Sequence, residues 1–159
     1  MPPVSRLSVR VLPVDRDGQV LLLLGHDPAR PSALYWFTIG GGVETGEAVE
    51  EAAVREMYEE TGIRVEPSQH VGPFHRGEHT FSFAGVDYVS DSTFFAVAVD
   101  DVVATFDGLE EGEIGNILAA RWWAPKELAS GMSLSSLDLP VIARAAVAAL
   151  RPTSEPRGN

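Results

Sequence analysis

The chain has 159 residues, of which 45% are hydrophobic and 22% are charged, as is usual for one globular domain. Its formal net charge of −11 argues against a surface that binds DNA or RNA through phosphates, and the absence of cysteine excludes disulfides and thiolate metal sites. Arg6 and Arg10 interrupt the apolar start, and the apolar runs are too short to cross a bilayer. We therefore expect no signal peptide, no membrane partner and a cytoplasmic location.

The first part of the chain predicts β structure. Residues 7–14 and 19–24 are apolar runs on either side of a turn-rich segment, residues 15–18, which indicates a β-hairpin. A loop with two prolines follows at residues 25–34, and residues 35–38 form a short aromatic strand. Gly40, Gly41 and Gly42 come next. Because glycine lacks a Cβ atom, these residues suit a close approach of the main chain to a ligand or to another element, and a linker of three residues is too short to separate domains.

A helix with marked ends is predicted at residues 46–61. Thr45 is its expected N-cap, Glu47 lies in the first turn, where the helix dipole favours an anion, and Gly62 is the expected terminating glycine. Ala52 and Ala53 lie on one arc with other small apolar residues, so this helix is expected to pack on a sheet through small side chains.

The second half of the chain predicts more strands and one further helix. Residues 64–75, 79–83 and 91–99 indicate β segments that are broken by prolines and glycines. An acidic loop is expected at residues 100–118, a strand at 119–123, a helical turn at 125–129 and an alanine-rich helix at 137–150. Residues 1–150 are thus predicted to form one domain, and residues 151–159 a flexible tail.

Three glutamates in the first helix are the strongest chemical signal. Glu56, Glu59 and Glu60 stand at i, i+3 and i+4, within about 100° of one another around the helix axis. They share an arc with the packing face, and oxygen-only clusters suit hard ions such as Mg²⁺. The alternative is a solvated glutamate-rich helix in which Arg55 pairs with Glu51 and Glu59.

The glutamates complete a pattern, 23 residues long, that resembles the Nudix box. Its order is a glycine, five residues, a glutamate, seven residues, Arg-Glu, an aliphatic residue, any residue, Glu-Glu, any residue, glycine and an aliphatic residue. A chance match is expected on the order of once in 10⁸ positions. The matching residues are Gly41, Glu47, Arg55, Glu56, Met57, Glu59, Glu60, Gly62 and Ile63. The resemblance implies the Nudix α/β/α sandwich, in which a mixed, curved sheet lies between the box helix and a C-terminal helix.

The resemblance also implies a metal centre. Glu56, Glu59, Glu60 and the backbone carbonyl of Gly40 are the implied ligands of Mg²⁺, for which Mn²⁺ can substitute. Arg55 is implied to hold the glutamates and to pair with Glu47. The implied reaction is the in-line attack of water on a phosphorus of a phosphoanhydride, with the ions lowering the pKa of that water.

Two glutamates are candidates for the general base, because members of this family use either a box residue or one from a later loop. Glu56 is the first candidate, and Glu113 is the second, with Glu110 and Glu111 as its close competitors. The histidines have no metal-ligand spacing with one another and are expected to be solvent-facing or hydrogen-bonded.

The substrate is the least determined part of the prediction. Trp36, Phe37 and Phe74 could stack on a nucleobase, although core aromatics are commoner, and Gly41 and Gly42 could approach the phosphates. The leading hypothesis is the hydrolysis of a small nucleotide, a (d)NTP, to NMP and pyrophosphate by a monomer or homodimer. The alternatives are a nucleotide-sugar or dinucleoside polyphosphate hydrolase, and a non-catalytic module that senses a nucleotide.

Overall fold

The computed structural model describes residues 2–100, 104–106, 108–109, 115–128 and 132–151. The strands are β1 (Val4–Val14), β2 (Val20–Gly25), β3 (Tyr35–Phe37), β4 (Ile39–Gly42), β5 (His70–Phe83), β6 (Val86–Ala98) and β7 (Ile117–Trp123). The helices are α1 (Val49–Thr61) and α2 (Leu139–Ala149), and the short 3-10 turns are Pro67–Gln69 and Pro125–Glu127. In the described part of the chain, neither α1 nor α2 is long and apolar enough to cross a membrane.

The seven strands form one mixed sheet, as predicted, in which β1 is the central strand. β1 pairs in parallel with β6 along its whole length and antiparallel with β4 at residues 8–11. The predicted hairpin between β1 and β2 is confirmed next to the turn, where the strands pair antiparallel at Val14 and Val20, but their pairing does not extend along the strands. Beyond the turn β1 and β2 diverge, because β1 pairs with β4, whereas β2 pairs with β3 on one side and with β7 on the other.

The segments predicted at residues 64–75, 79–83 and 91–99 are in fact one long antiparallel hairpin, β5–β6, preceded by the 3-10 turn Pro67–Gln69. Pro73 causes only a local register shift between Val71 and His75, because the continuous partner β6 holds the ladder on both sides of it. Ala84 and Gly85, both with positive φ, form the two-residue turn that hairpins of this kind favour.

The two faces of the sheet pack against different helices, which confirms the predicted α/β/α arrangement. Val9 and Val11 lie in a cluster with Met57 of α1, whereas Leu12 lies in a second cluster with Ile142 of α2. Alternate residues of a strand point to opposite faces, so the even-numbered residues of β1 share the α2 face. α2 covers the carboxyl half of that face, and a cavity lies over the amino half.

The start of α1 differs from the prediction. The helix begins at Val49 after an extended Ala48, and the predicted N-cap, Thr45, is exposed and lies outside it. Glu47 therefore precedes the helix, and the dipole explanation for this residue is wrong; its side chain instead accepts hydrogen bonds from Arg55 and from the Glu44 amide. The end of α1 is as predicted, because Gly62 adopts φ 74° and donates to the Tyr58 carbonyl.

Candidate active site

A cavity of about 600 Å³ lies at the amino half of the α2 face. Carboxylates from α1 and the glycines of β4 line one side of it, arginines of β1 form its floor, and aromatic residues of β5 and β6 line the opposite side. The box helix α1, the glycine strand β4 and the first strand β1 therefore meet at one opening.

The carboxylates of α1 reach the cavity along the edge of β4 that no strand covers among the described residues. Glu60, which is 1% exposed, accepts a hydrogen bond of 2.8 Å from the Gly40 amide. Arg55 donates to the Gly42 carbonyl at 3.0 Å. Side chains of α1 thus satisfy polar groups on the outer edge of β4, which fixes the helix against the glycine strand.

The structure shows why a glycine is needed at position 41. Its missing Cβ would lie 2.5 Å from Oε1 of Glu56, closer than real side chains approach one another. Glu56 is 7% exposed and lines the cavity. The absence of a side chain at position 41 therefore provides the space in which the Glu56 carboxylate lies.

Arg55 is the centre of an ion-pair network. Its Nε and Nη2 contact the two carboxylate oxygens of Glu47 at 2.8 and 2.9 Å, a bidentate pair. Its Nη1 contacts Glu56 at 2.9 Å and Glu59 at 3.2 Å. The hydrogen bonds that Arg55 donates to Glu47 raise the pKa of Arg55 and lower the pKa of Glu47. The predicted pair between Arg55 and Glu47 is present.

The predicted metal ligands lie together at the cavity, but their side chains are not arranged as a metal-binding site. Within the described ranges, no three His, Asp or Glu side chains are arranged so that they could hold a metal ion. Glu56 and Glu59 contact Arg55, and Glu60 contacts the backbone of Gly40. The chemistry of the set nevertheless fits a hard divalent cation, because it offers only oxygen donors and two of the carboxylates are buried.

The predicted substrate-binding residues divide into two groups. Phe37, Gly41 and Gly42 line the cavity. Trp36 and Phe74 do not belong to its lining: they pack against the hydrophobic cluster beneath α2, Trp36 with its ring centroid 5.0 Å from that of Trp123. Neighbouring residues on a strand face opposite sides of the sheet, and Phe37 accordingly packs against the cluster that contains Met57 of α1. The other candidate bases, Glu110, Glu111 and Glu113, lie outside the described residues.

The sequence interpretation missed the floor of the cavity. Arg6 and Arg10 line it, and the guanidinium of Arg6 lies 5.0 Å from the ring centroid of Phe81 and 5.2 Å from that of Tyr88. One signal was available, because two arginines four residues apart on a strand share one face. The aromatic partners could not have been assigned in this way, since they lie more than 70 residues away in the sequence.

Asp27 is a further lining residue that the prediction missed. Its buried carboxylate accepts hydrogen bonds from the amides of Ala29 and Ala84, which lowers its pKa. Asp27 thereby links the loop after β2 to the tip of the β5–β6 hairpin at the rim of the cavity.

Comparisons with known proteins agree with this architecture. The family model described as the NUDIX domain matches residues 4–144. An uncharacterized Nudix hydrolase of Bacillus subtilis (strain 168) is 32% identical over 102 residues, 64% of this chain and 57% of that protein. A putative 8-oxo-dGTP diphosphatase of the same organism is 34% identical over 90 residues, 52% of this chain and 57% of that protein. The chain thus spans little more than half the length of these curated relatives.

Solved structures show the same fold. The crystal structure of a MutT protein from Methanosarcina mazei Go1 matches with a TM-score of 0.64 at 20% sequence identity. The match covers 95% of this chain and 99% of that one. At this level of identity the likeness concerns the arrangement of the sheet and the helices.

Proposed function

The chain belongs to the Nudix family, and from this premise we propose that it hydrolyses a phosphoanhydride bond of a nucleoside or deoxynucleoside triphosphate to a monophosphate and pyrophosphate. The observation that carries the proposal is the burial of the Glu56 and Glu60 carboxylates where α1 and the glycine strand border the cavity. The curated relative described as a putative 8-oxo-dGTP diphosphatase supports a triphosphate substrate.

Buried carboxylates at a cavity wall need cationic partners. Moving a charge out of water is costly unless it is paired. Among the described residues, Arg55 supplies one positive charge against the three carboxylates of Glu47, Glu56 and Glu59. An anionic phosphate can approach such a group only when cations lie between them, which supports a divalent-metal requirement.

We assign Mg²⁺, with Mn²⁺ as a substitute, to Glu56, Glu59, Glu60 and the Gly40 backbone. When bound, the metal lowers the pKa of a water molecule and neutralises charge on the phosphoryl oxygens. Arg55 orients the carboxylates. In the reaction, the water oxygen forms a bond to the α-phosphorus while the bond from that phosphorus to the α–β bridging oxygen breaks. The bridging oxygen leaves with the electron pair as part of pyrophosphate, and a carboxylate accepts the proton of the water.

Glu56 and Glu113 both remain candidates for that carboxylate. Glu56 lies against Gly41 at the cavity, with Arg55 orienting its Oε1. The choice is tested by comparing Glu56→Gln with Glu113→Gln. Loss of the base should lower kcat by roughly 10²- to 10⁴-fold at nearly unchanged KM. If Glu113→Gln lowers kcat by less than about threefold, the role belongs to Glu56 or to one of the neighbours Glu110 and Glu111.

The decisive experiment is a release assay for phosphate and pyrophosphate with Mg²⁺ or Mn²⁺. Its panel contains nucleoside triphosphates, dinucleoside polyphosphates and nucleotide sugars. We expect pyrophosphate release from triphosphates that stops in excess chelator and returns with metal. Full activity in chelator would overturn the metal assignment, and tight nucleotide binding without turnover would identify a sensor.

A further inference from the structure

The floor of the cavity carries two arginines in an unusual environment. Arg6 and Arg10 lie on the same face of β1, and Arg6 lies against the stacked rings of Phe81 and Tyr88. Arg10 donates one hydrogen bond, to the Thr38 carbonyl at 3.1 Å. Burial lowers the pKa of both guanidiniums. The negative charge of Glu60 raises the pKa of Arg10, the positive charge of Arg6 lowers it, and the charge of Glu56 raises the pKa of both arginines.

Neither guanidinium is paired with a carboxylate within the described ranges. The protein has 23 acidic and 12 basic residues, yet the salt bridges of the described residues include neither Arg6 nor Arg10. Nε of Arg6 is buried and has no hydrogen-bond partner there. The charges of Glu56 and Glu60 offset part of the cost of two adjacent cations that face a cavity without a salt bridge among the described residues, and a bound anion would offset more of it.

The glycine strand lies between these arginines and the carboxylates. A Cβ on Gly41 would meet Glu56. A Cβ on Gly40 would meet the Val9 carbonyl oxygen and next the Arg10 side chain, and one on Gly42 would have Nη1 of Arg6 as its nearest atom, 3.9 Å away. The two charge groups therefore approach opposite faces of β4. A polyphosphate that extends across β4 would have metal-held phosphates at one end and guanidiniums at the other.

We propose that Arg6 and Arg10 form a binding site for the terminal phosphate of the substrate and thereby select triphosphates over nucleotide sugars. This proposal rests on the proposed function and deepens it. A terminal phosphate carries more negative charge than an esterified one, and guanidiniums bind phosphate oxygens through directed N–H donors. A nucleotide sugar would place an uncharged ring on the same two cations and leave them unpaired, which disfavours it.

The first test measures the binding of inorganic pyrophosphate by titration calorimetry in Mg²⁺ buffer. Arg6→Met retains an apolar chain over Phe81 and Tyr88 but removes the charge, and we expect it to bind pyrophosphate about 10- to 100-fold more weakly than the parent. Arg6→Lys should recover part of the loss. Arg64→Met is the matched control, because Arg64 also stacks on a tyrosine, Tyr58, but is exposed and lies outside the cavity lining.

The second test compares kcat/KM for GTP with kcat/KM for GDP-mannose. Arg6→Met should reduce the preference for GTP about tenfold or more, whereas Arg64→Met should leave it unchanged. Equal pyrophosphate affinity in the parent and Arg6→Met, no pyrophosphate binding by the parent, or an unaltered preference would overturn the proposal. Weakened pyrophosphate binding in Arg6→Met without any hydrolysis by the parent would instead overturn the proposed function and leave the anion site standing.

Discussion

The carboxylate side and the arginine side of the cavity are built in different ways. On the carboxylate side, Glu47, Glu56 and Glu59 contact one cation, Arg55, within a single stretch of the chain. On the arginine side, Arg6 lies against the rings of Phe81 and Tyr88, and Arg10 donates a hydrogen bond to the Thr38 carbonyl. One side is therefore organised by charge pairing within a motif, and the other by sheet register.

This difference explains why one half of the site was visible in the sequence. Helix geometry places residues three and four apart side by side, so spacing alone brings Glu56 and Glu60 together. Sheet register depends on which strands pair, and the parallel contact between β1 and β6 joins residues separated by 84 positions. Ser8, for example, lies opposite Ser92, and local sequence contains no sign of that neighbour.

Replacement of Glu60 is expected to lower activity more than any other change on the carboxylate side. Glu60→Gln retains an oxygen that can accept the Gly40 hydrogen bond but removes the buried charge, so metal binding should fail while the fold persists. Replacing groups that only support metal ligands typically costs 10- to 100-fold, so kcat should fall by at least about 100-fold. Without metal, the melting temperature should equal or slightly exceed that of the parent, because repulsion among the glutamates decreases.

Glu51→Gln is the control for this variant, because Glu51 is exposed on the same helix. Thermal unfolding with and without Mg²⁺ accompanies the release assay. Parental turnover together with parental stabilisation by Mg²⁺ would exclude Glu60 as a ligand.

The sequence predicted the helix that carries Glu60 better than the segment before it and the later strands. The pattern around Glu56, Glu60 and Gly62 predicted the helix, its end and the shared position of the carboxylates, because all of these follow from local helix geometry. Thr45 is not the cap, because the helix begins only at Val49, after an extended Ala48. The prediction of the later strands was wrong because proline and glycine interrupt the strand pattern in the sequence of β5. In the structure, pairing with β6 keeps β5 continuous across these residues.

A weaker perturbation of the carboxylate side is Glu47→Gln. This change removes the charge that holds Arg55 in its bidentate contact, so the orientation of Glu56 and Glu59 should relax and activity should fall about 10- to 100-fold. It also predicts a pH effect. The hydrogen bond from Arg55 holds the folded-state pKa of Glu47 below the ordinary glutamate value of 4.5, so its stabilisation is present above pH 4.5 and is lost as pH falls through the folded-state pKa.

Acid titrations of thermal stability measure this effect. The parent should lose stability more steeply than Glu47→Gln as the pH falls below 4.5, because only the parent must protonate a hydrogen-bonded carboxylate at position 47. Identical acid profiles would show that the Glu47–Arg55 pair does not contribute to stability.

Gly41→Ala tests the boundary between the two sides. The added Cβ would meet the Glu56 carboxylate at 2.5 Å, and overpacking of this kind typically costs about 1–3 kcal/mol. For a chain of this length, that corresponds to a fall in melting temperature of about 2–12 °C. The neighbouring Gly42→Ala is the matched comparison, since its nearest atom, on Arg6, lies 3.9 Å away. Equal melting temperatures for the two variants would contradict the assigned crowding at Glu56.

The smallest expected effect concerns the hydrogen bonds near the arginines. Ser8 Oγ lies 2.7 Å from Oγ of both Ser90 and Ser92, and all three side chains are fully buried on the face that carries Arg6 and Arg10. Ser8→Ala removes both bonds, which should cost about 1–2.5 kcal/mol, whereas Ser92→Ala removes one and leaves the bond between Ser8 and Ser90. Ser8→Ala should therefore melt about 2–10 °C below the parent, and Ser92→Ala should lose roughly half as much. If both variants melt at the same temperature, Ser8 does not join the two strands through its hydroxyl, and the arginine side is held by backbone pairing and aromatic contacts alone.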